Sequence, residues 1–257
     1  MNNIIILGAG ESGLGSALLA NRNKYDVFVS DSSKISDQVK NKLIESGIDF
    51  EENSHQKAKT LKPDFIVKSP GISDSNDIVK FFISTSVKII SEIEFASLHC
   101  NSKIIGVTGS NGKTTTTTLA YKLISEGGYN CTISGNIGNS FSNVCENDTD
   151  FSIVEVSSFQ LDGIESFKPH IAILTAITPD HLDRYKNFEA YVELHCYVNQ
   201  FKLDTNVYES YIYTPTAGKM VTFPSYVIHE VLDNKSNEDR IAVSYNVTLS
   251  GWDVDEE

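Results

Sequence analysis

The chain has 257 residues, room for one large or two ordinary domains, and the 40% that are hydrophobic suit a globular protein with a sizeable core. A formal net charge of −13 argues against non-specific nucleic-acid binding, because so acidic a surface holds a phosphate only where its cations are concentrated. Four cysteines (Cys100, Cys131, Cys145, Cys196) form no C-x-x-C pair or metal spacing and read as reduced thiols of a cytoplasmic protein, and with no apolar run near ~18 residues neither export nor membrane insertion is expected.

A short apolar strand at 3–7 opens the chain and runs into G-A-G-E-S-G, so that Gly8, Gly10 and Gly13 fit G-x-G-x-x-G. A helix and a second strand, 25–30, follow and end at Asp31, about 20 positions on, where a dinucleotide fingerprint has its acidic residue. The pattern reports a nucleotide's phosphate or ribose near a strand–helix turn without naming the nucleotide. Ser12 offers a hydroxyl to a phosphate. Asp31 is placed to accept from a sugar hydroxyl or, alternatively, to cap a turn. Residues 36–46 read as a helix with Val39, Leu43 and Ile44 inward and Gly47 as its stop. A strand at 64–67 runs into Ser69-Pro70-Gly71, at the strand edge where open α/β sheets bind ligands. After a strand at 87–90, Ser91 and Glu94 have capping-box spacing for a helix over 92–98. Residues 1–98 therefore read as one Rossmann-like domain, with a seam at Asn101-Ser102.

The next strand, 103–107, enters a glycine-rich turn and a helix: G-V-T-G-S-N-G-K-T-T over 106–115. Gly109 and Gly112 let the backbone approach an anion, and the positive end of the helix dipole faces it. Lys113 adds a full charge for outer phosphates, and the Thr114 hydroxyl suits Mg²⁺. The strict phosphate-loop pattern has glycine six residues before the lysine; here that residue is Val107. The helix presents Leu119, Ala120, Leu123 and Ile124 as its apolar stripe and stops at Gly127-Gly128. A strand at 131–134 leads to G-N-I-G, 135–138. A buried strand at 150–156 carries Glu155 near its C-terminal end, where it holds Mg²⁺ or else faces solvent. A strand at 171–177 feeds T-P-D-H-L-D-R-Y, in which Asp180, His181, Asp183 and Arg184 crowd one loop. Four ionisable groups there are costly unless they bind something.

Taken together, G-V-T-G-S-N-G-K-T-T, S-G-N-I-G (134–138), V-E-V-S-S-F-Q-L (154–161) and T-P-D-H-L-D-R-Y (178–185) resemble the Mur ligases of peptidoglycan synthesis, and G-A-G-E-S-G and K-S-P-G-I (68–72) suit such a protein's first domain. The resemblance covers residues 1 to about 193. It implies that Ser12 and Asp31 bind the uridine diphosphate end of the substrate. It implies that Gly109, Ser110, Asn111, Gly112, Lys113, Thr114 and Thr115 hold ATP. Thr114, Glu155 and His181 would serve Mg²⁺, and Asn136, Ser157 and His181 would position the muramoyl-alanine part. In the implied reaction the carboxylate of UDP-N-acetylmuramoyl-L-alanine attacks the γ-phosphate of ATP, and the amine of D-glutamate displaces phosphate from the acyl phosphate. Lys113 and His181 would be the catalytic side chains, with cations set between two anions.

The resemblance breaks in the helix after Asn187, where the family's carbamylated lysine is replaced, in our register, by His195. The rest of the central domain and a C-terminal domain are not recognisable. Residues 200–248 instead resemble the end of an Fe(II)/2-oxoglutarate oxygenase, with His229 in the place of an iron ligand and Arg240 in that of the 2-oxoglutarate partner. The H-x-D half of a facial triad is missing, which weighs against iron chemistry. The expected architecture is α/β: a Rossmann-like domain (1–98), a truncated P-loop domain (99–193) and a β-rich tail (194–257), two unrelated fragments joined near residue 194. A monomer of poor solubility, with no nucleic-acid or membrane partner, is expected. Two other readings stay open. An NAD-dependent dehydrogenase explains 1–31 but not 104–185; a simple P-loop module explains 104–118 but not Glu155 with His181.

Overall fold

The structure is a computed structural model and describes residues 2–176. The first sheet holds β1 (Asn3–Leu7), β2 (Asp26–Ser30), β3 (Asp49–Glu51), β4 (Phe65–Lys68) and β5 (Lys88–Ser91), all parallel, in the order β3-β2-β1-β4-β5. Its helices are α1 (Glu11–Arg22), α2 (Asp37–Glu45), α3 (Asp77–Ser84) and α4 (Glu92–Ser97). The second sheet holds β6 (Lys103–Thr108), β7 (Cys131–Gly135), β8 (Phe151–Glu155) and β9 (Ile171–Leu174), also parallel, in the order β7-β8-β6-β9. Helices α5 (Lys113–Glu126), α6 (Phe141–Val144) and α7 (Ser158–Leu161) belong to it. This is the mixed α/β class read from the sequence, built from two doubly wound parallel sheets.

Strand chemistry explains the layering. In β1, Ile4 and Ile6 point to one buried cluster and Ile5 and Leu7 to another, the period-two alternation of a strand covered on both faces. The first cluster continues without interruption through Phe95 and Phe141 to Val154 and Leu161, so α1, α4 and α6 form a shared core between the sheets. Gly15 of α1 permits this approach, because a Cβ there would stand 2.3 Å from the Ser140 hydroxyl oxygen. At the expected seam, the Ser102 hydroxyl bonds the Ser152 hydroxyl in β8 at 2.6 Å, and both residues are buried.

Three expectations are corrected. Ile44 is 64% exposed; in α2 only Leu43 is fully buried, since a nine-residue helix on the sheet's flank turns too narrow a face inward. In α5, Leu119 and Leu123 are 44% and 58% exposed, and the buried positions are Thr117 and Ala120. The inward stripe sits about one residue around the helix from the apolar one, which small Thr and Ala side chains allow. The capping box at α4 is half made. Ser91 Oγ accepts from the Glu94 N–H at 3.2 Å, but the Ser91 N–H donates to Gly163 and the Glu94 carboxylate turns to residues 165–167. A tertiary contact outcompetes the local reciprocal bond.

Candidate functional site

The chain winds outward from β1 through β2 to β3, then returns to β4 on β1's other side. The crevice between the C-terminal ends of β1 and β4 is thus a topological switch point. Gly8, with φ 90°, turns the chain sharply there. A Cβ on Gly8 would lie 2.7 Å from the Ser69 hydroxyl oxygen, and one on Gly13 would lie 1.9 Å from the Gly8 carbonyl oxygen. Only glycine at both positions lets the loop, the start of α1 and the Ser69 turn close together. Ser12 stands in the first turn of α1, after Gly10 at the N-cap. Asp31 is already engaged: one carboxylate oxygen accepts from the Ala9 N–H at 2.7 Å and the other from the Ser33 N–H at 2.8 Å. It shapes the glycine loop, and the capping alternative read from the sequence is present in the fold beside any role toward a sugar. Ser69 Oγ is buried at this mouth with no hydrogen-bond partner among the described residues. Lys68, 4% exposed, is held by the Ile72 carbonyl and the Asp74 carboxylate.

The second edge is built on β6. Gly109 (φ 133°) and Gly112 (φ 82°) reverse the chain between Thr108 and α5, and Gly112 is the N-cap of that helix. The loop is anchored from below, with the Ser110 N–H donating to the Ala176 carbonyl at 2.7 Å and Thr108 Oγ1 to the Val156 carbonyl at 2.8 Å. Lys113 folds over its own loop; its ammonium donates to the Gly109 and Ser110 carbonyls at 2.7 and 2.9 Å. Thr114 and Thr115 are exposed at the first turn of α5.

Glu155 ends β8, the strand beside β6, in register with Val107. It therefore stands on the same sheet edge as the phosphate loop. It is 1% exposed, its Oε1 accepts from Asn136 Nδ2 at 2.8 Å, and its Oε2 is buried without a partner among the described residues. A carboxylate oxygen left in that state is a ligand type that Mg²⁺ takes, so the donor set fits that ion. Asn136 is committed to orienting Glu155 through both its amide group and its backbone N–H, which donates to the Glu155 carbonyl at 2.8 Å. Ser157 stands at the N-cap of α7, where Gln160 Oε1 accepts from its N–H and its hydroxyl.

The fold thus brings Ser12 and Asp31 to one strand edge, and Gly109 through Thr115, Asn136, Glu155 and Ser157 to the other. Asp180, His181, Asp183, Arg184, His195, His229 and Arg240 lie outside the described residues. Among the described residues no three His, Cys, Asp or Glu side chains gather as a ready metal cluster, and no helix is long and apolar enough to cross a membrane. Sequence reading missed His55 and Glu92 and took Glu94 only as a capping-box residue. A lone loop histidine and a buried helix glutamate carry no motif, and only their tertiary partners distinguish them.

Two glycine loops at the C-terminal edges of two parallel sheets, one followed by lysine and threonine at a helix start, give an α/β protein with the layout of a P-loop fold. Residues 3–79 match the MurD N-terminal domain and residues 107–206 the Mur ligase middle domain. This part of the chain belongs to the Mur ligase family. Among curated relatives, the UDP-N-acetylmuramoylalanine--D-glutamate ligase of Christiangramia forsetii is 52% identical over 183 residues, 71% of this chain and 41% of that protein. The protein of the same name from Bacteroides fragilis is 47% identical over 186 residues, 72% of this chain and 42% of its own length. The chain thus spans about two-fifths of these relatives. The solved UDP-N-acetylmuramate:L-alanyl-gamma-D-glutamyl-meso-diaminopimelate ligase from Neisseria meningitides shares the fold, with a TM-score of 0.51 at 21% identity over 77% of this chain and 67% of that one. Residues 178–246 match a putative 2OG-Fe(II) oxygenase model, overlapping the end of the middle-domain match.

Proposed function

We propose that this chain carries the two nucleotide-binding parts of an ATP-dependent ligase that joins D-glutamate to UDP-N-acetylmuramoyl-L-alanine through an acyl phosphate. Residues 1–98 take the UDP end of the substrate and the P-loop segment of 99–193 takes ATP. The observation that carries the reading is Glu155. It is a buried carboxylate with one unsatisfied oxygen, on the same sheet edge as the Lys113 loop and held in orientation by Asn136. A dehydrogenase has no use for that second edge.

The described residues account for binding and positioning. Backbone amides of 109–112 and the start of α5 receive the phosphates. Lys113 would exchange its two loop carbonyls for phosphate oxygens, and the Thr114 hydroxyl and Glu155 would hold Mg²⁺. When bound, Mg²⁺ neutralises phosphate charge, so that a carboxylate can approach the γ-phosphate. The Ser12 hydroxyl, the α1 N-terminus and the Ser69 hydroxyl face the UDP phosphates. His181, on the sequence resemblance, positions the reacting carboxylate.

From residue 178 the chain also fits an oxygenase model. We therefore expect the 257-residue chain to bind both nucleotides without completing turnover, as a monomer. Calorimetric titration with UDP-N-acetylmuramoyl-L-alanine and with ATP and Mg²⁺ tests this, alongside D-glutamate-dependent phosphate release. Saturable binding of both without phosphate release supports the proposal. Binding of NAD that UDP does not displace would sink it.

A further inference from the structure

Lys68 ends β4 at the C-terminal edge of the first sheet, and no step proposed above uses it. It is two positions from Ile66 and in register with Leu7 on β1, so its stem shares the face that carries the apolar cluster of Leu7, Ile66, Ile78 and Phe82. A cation buried on such a face is costly unless it is paired. Its ammonium donates to the Ile72 carbonyl at 3.1 Å and to the Asp74 carboxylate. The Lys68 side chain is 4% exposed and that of Asp74 65%, so the pair runs from the buried strand end to the surface.

These bonds close the turn that follows the strand. The Ser69 N–H donates to the Leu7 carbonyl and the Ile72 N–H to the Ser69 carbonyl, both at 3.0 Å. Ile72 is therefore held twice, by Ser69 through its N–H and by Lys68 through its carbonyl. Pro70 and Gly71 make the bend, and a Cβ on Gly71 would meet nothing within 4 Å, so no packing fixes its tip. The ammonium supplies the constraint that packing does not. The closed turn lies on the first glycine loop. A Cβ on Gly8 would stand 2.7 Å from Ser69 Oγ and 3.3 Å from Ile72 Cδ1, and one on Gly13 would stand 3.2 Å from Ser69 Oγ. The Ser69 hydroxyl is thus set beside both glycines, and it has no hydrogen-bond partner among the described residues. A buried hydroxyl left so is costly, and an anion at the start of α1 would accept its proton.

We infer that Lys68 is a positioning residue for the diphosphate: by drawing Ile72 and Asp74 onto its ammonium it fixes the Ser69 hydroxyl at the glycine loop, pre-set to donate to a phosphate oxygen. Lys68 acts through Ser69, and the gain is that the turn is ordered before the ligand arrives. The inference rests on the UDP reading above and deepens it.

The test is calorimetric titration of the full chain with UDP, with ATP and Mg²⁺ as the control ligand. Lys68→Met and Ser69→Ala should each weaken UDP binding roughly five- to tenfold, the scale of one hydrogen bond, and leave ATP binding unchanged. The double variant should bind UDP no more weakly than the weaker single one, because both changes remove the same contact. A merely structural lysine would give losses that multiply, or would lower ATP affinity as well. Asp74→Asn keeps the lysine and alters an exposed side chain; it should weaken UDP binding less than Lys68→Met, and it carries the same cycle with Ser69→Ala if Lys68→Met does not fold. Multiplying losses, a parallel fall in ATP affinity, or unchanged UDP binding by Lys68→Met overturn the assignment while the UDP reading stands. If the unmodified chain binds no UDP, that reading fails and the assignment falls with it.

Discussion

Oε1 of Glu92, in the first turn of α4, accepts the backbone N–H of Ser142 in α6 at 2.7 Å, across the junction of the two sheets. Glu92 is 1% exposed and its other oxygen is buried without a partner among the described residues. Burial pushes its pKa up to about 7, with Glu11 of α1 adding to the shift and the Ser142 and Phe141 bonds opposing it. The carboxyl group that joins the sheets is therefore largely protonated in the folded protein at mildly acidic pH.

A pH dependence follows from that shift. Between the unfolded value near 4.5 and the folded value of about 7, the folded chain holds a proton that the unfolded chain has lost. Stability should fall as pH rises through this window and level off above it, by on the order of 3 kcal/mol. Glu92→Gln stays neutral at every pH. Its melting temperature should match that of the unmodified chain near pH 5 and exceed it by several degrees at pH 8. Parallel melting curves across pH 5–8.5 would contradict this.

Glu94, two residues on, should behave in the opposite sense. Burial alone would raise its pKa, but the Ser166 hydroxyl and the backbone N–H groups of Glu165, Phe167 and Ser166 together bring it below the ordinary value. Its contribution should be present above the unfolded pKa of about 4.5 and be lost as pH falls through the lower folded value. Glu94→Ala leaves three backbone donors without their acceptor, and urea denaturation at pH 7 should show a loss of roughly 2–4 kcal/mol.

At the phosphate loop, binding and folding should separate. Among the described residues Lys113 bonds only to the carbonyls of its own loop, so Lys113→Met should melt within a few degrees of the unmodified chain. Its ATP affinity should fall at least tenfold, as expected when a charge-assisted contact is removed. Glu155→Gln keeps the contour beside Asn136 but loses the charge. Added Mg²⁺ should then no longer strengthen ATP binding, which titration with and without the metal would read.

Gly13 tests the first crevice. A Cβ at 1.9 Å from the Gly8 carbonyl oxygen cannot be relieved by a side-chain rotation, because the obstacle is backbone. Gly13→Ala should displace the loop and weaken UDP binding more than Gly10→Ala, whose added Cβ meets nothing within 4 Å. Equal affinities for UDP in the two variants would count against a tight turn at this edge.

The phosphate loop, the first glycine loop and Glu155 were legible because each is a local pattern. Glycines at the turn, lysine and threonine at a helix start, and a carboxylate ending an apolar strand stand in order along the chain, and the fold places them where that order predicts. The inward faces of α2 and α5 were misread at Ile44, Leu119 and Leu123, because apolar side chains fit either face until a neighbour covers one. His55 and Glu92 gave no sign, and Glu94 showed only its capping-box spacing. Their partners Ser30, Ser142 and Ser166 lie 25, 50 and 72 positions away.

By itself the amino-acid sequence determined the α/β class and the two glycine turns with the lysine and threonine that follow the second, since backbone geometry and local periodicity dictate those over a few residues. Only the tertiary structure decided which carboxylates stay charged and which are protonated, that Asp31 braces its own loop, and that Asn136 aims Glu155. Those outcomes depend on desolvation and on hydrogen-bond partners that meet only when both sheets have closed against α1, α4 and α6.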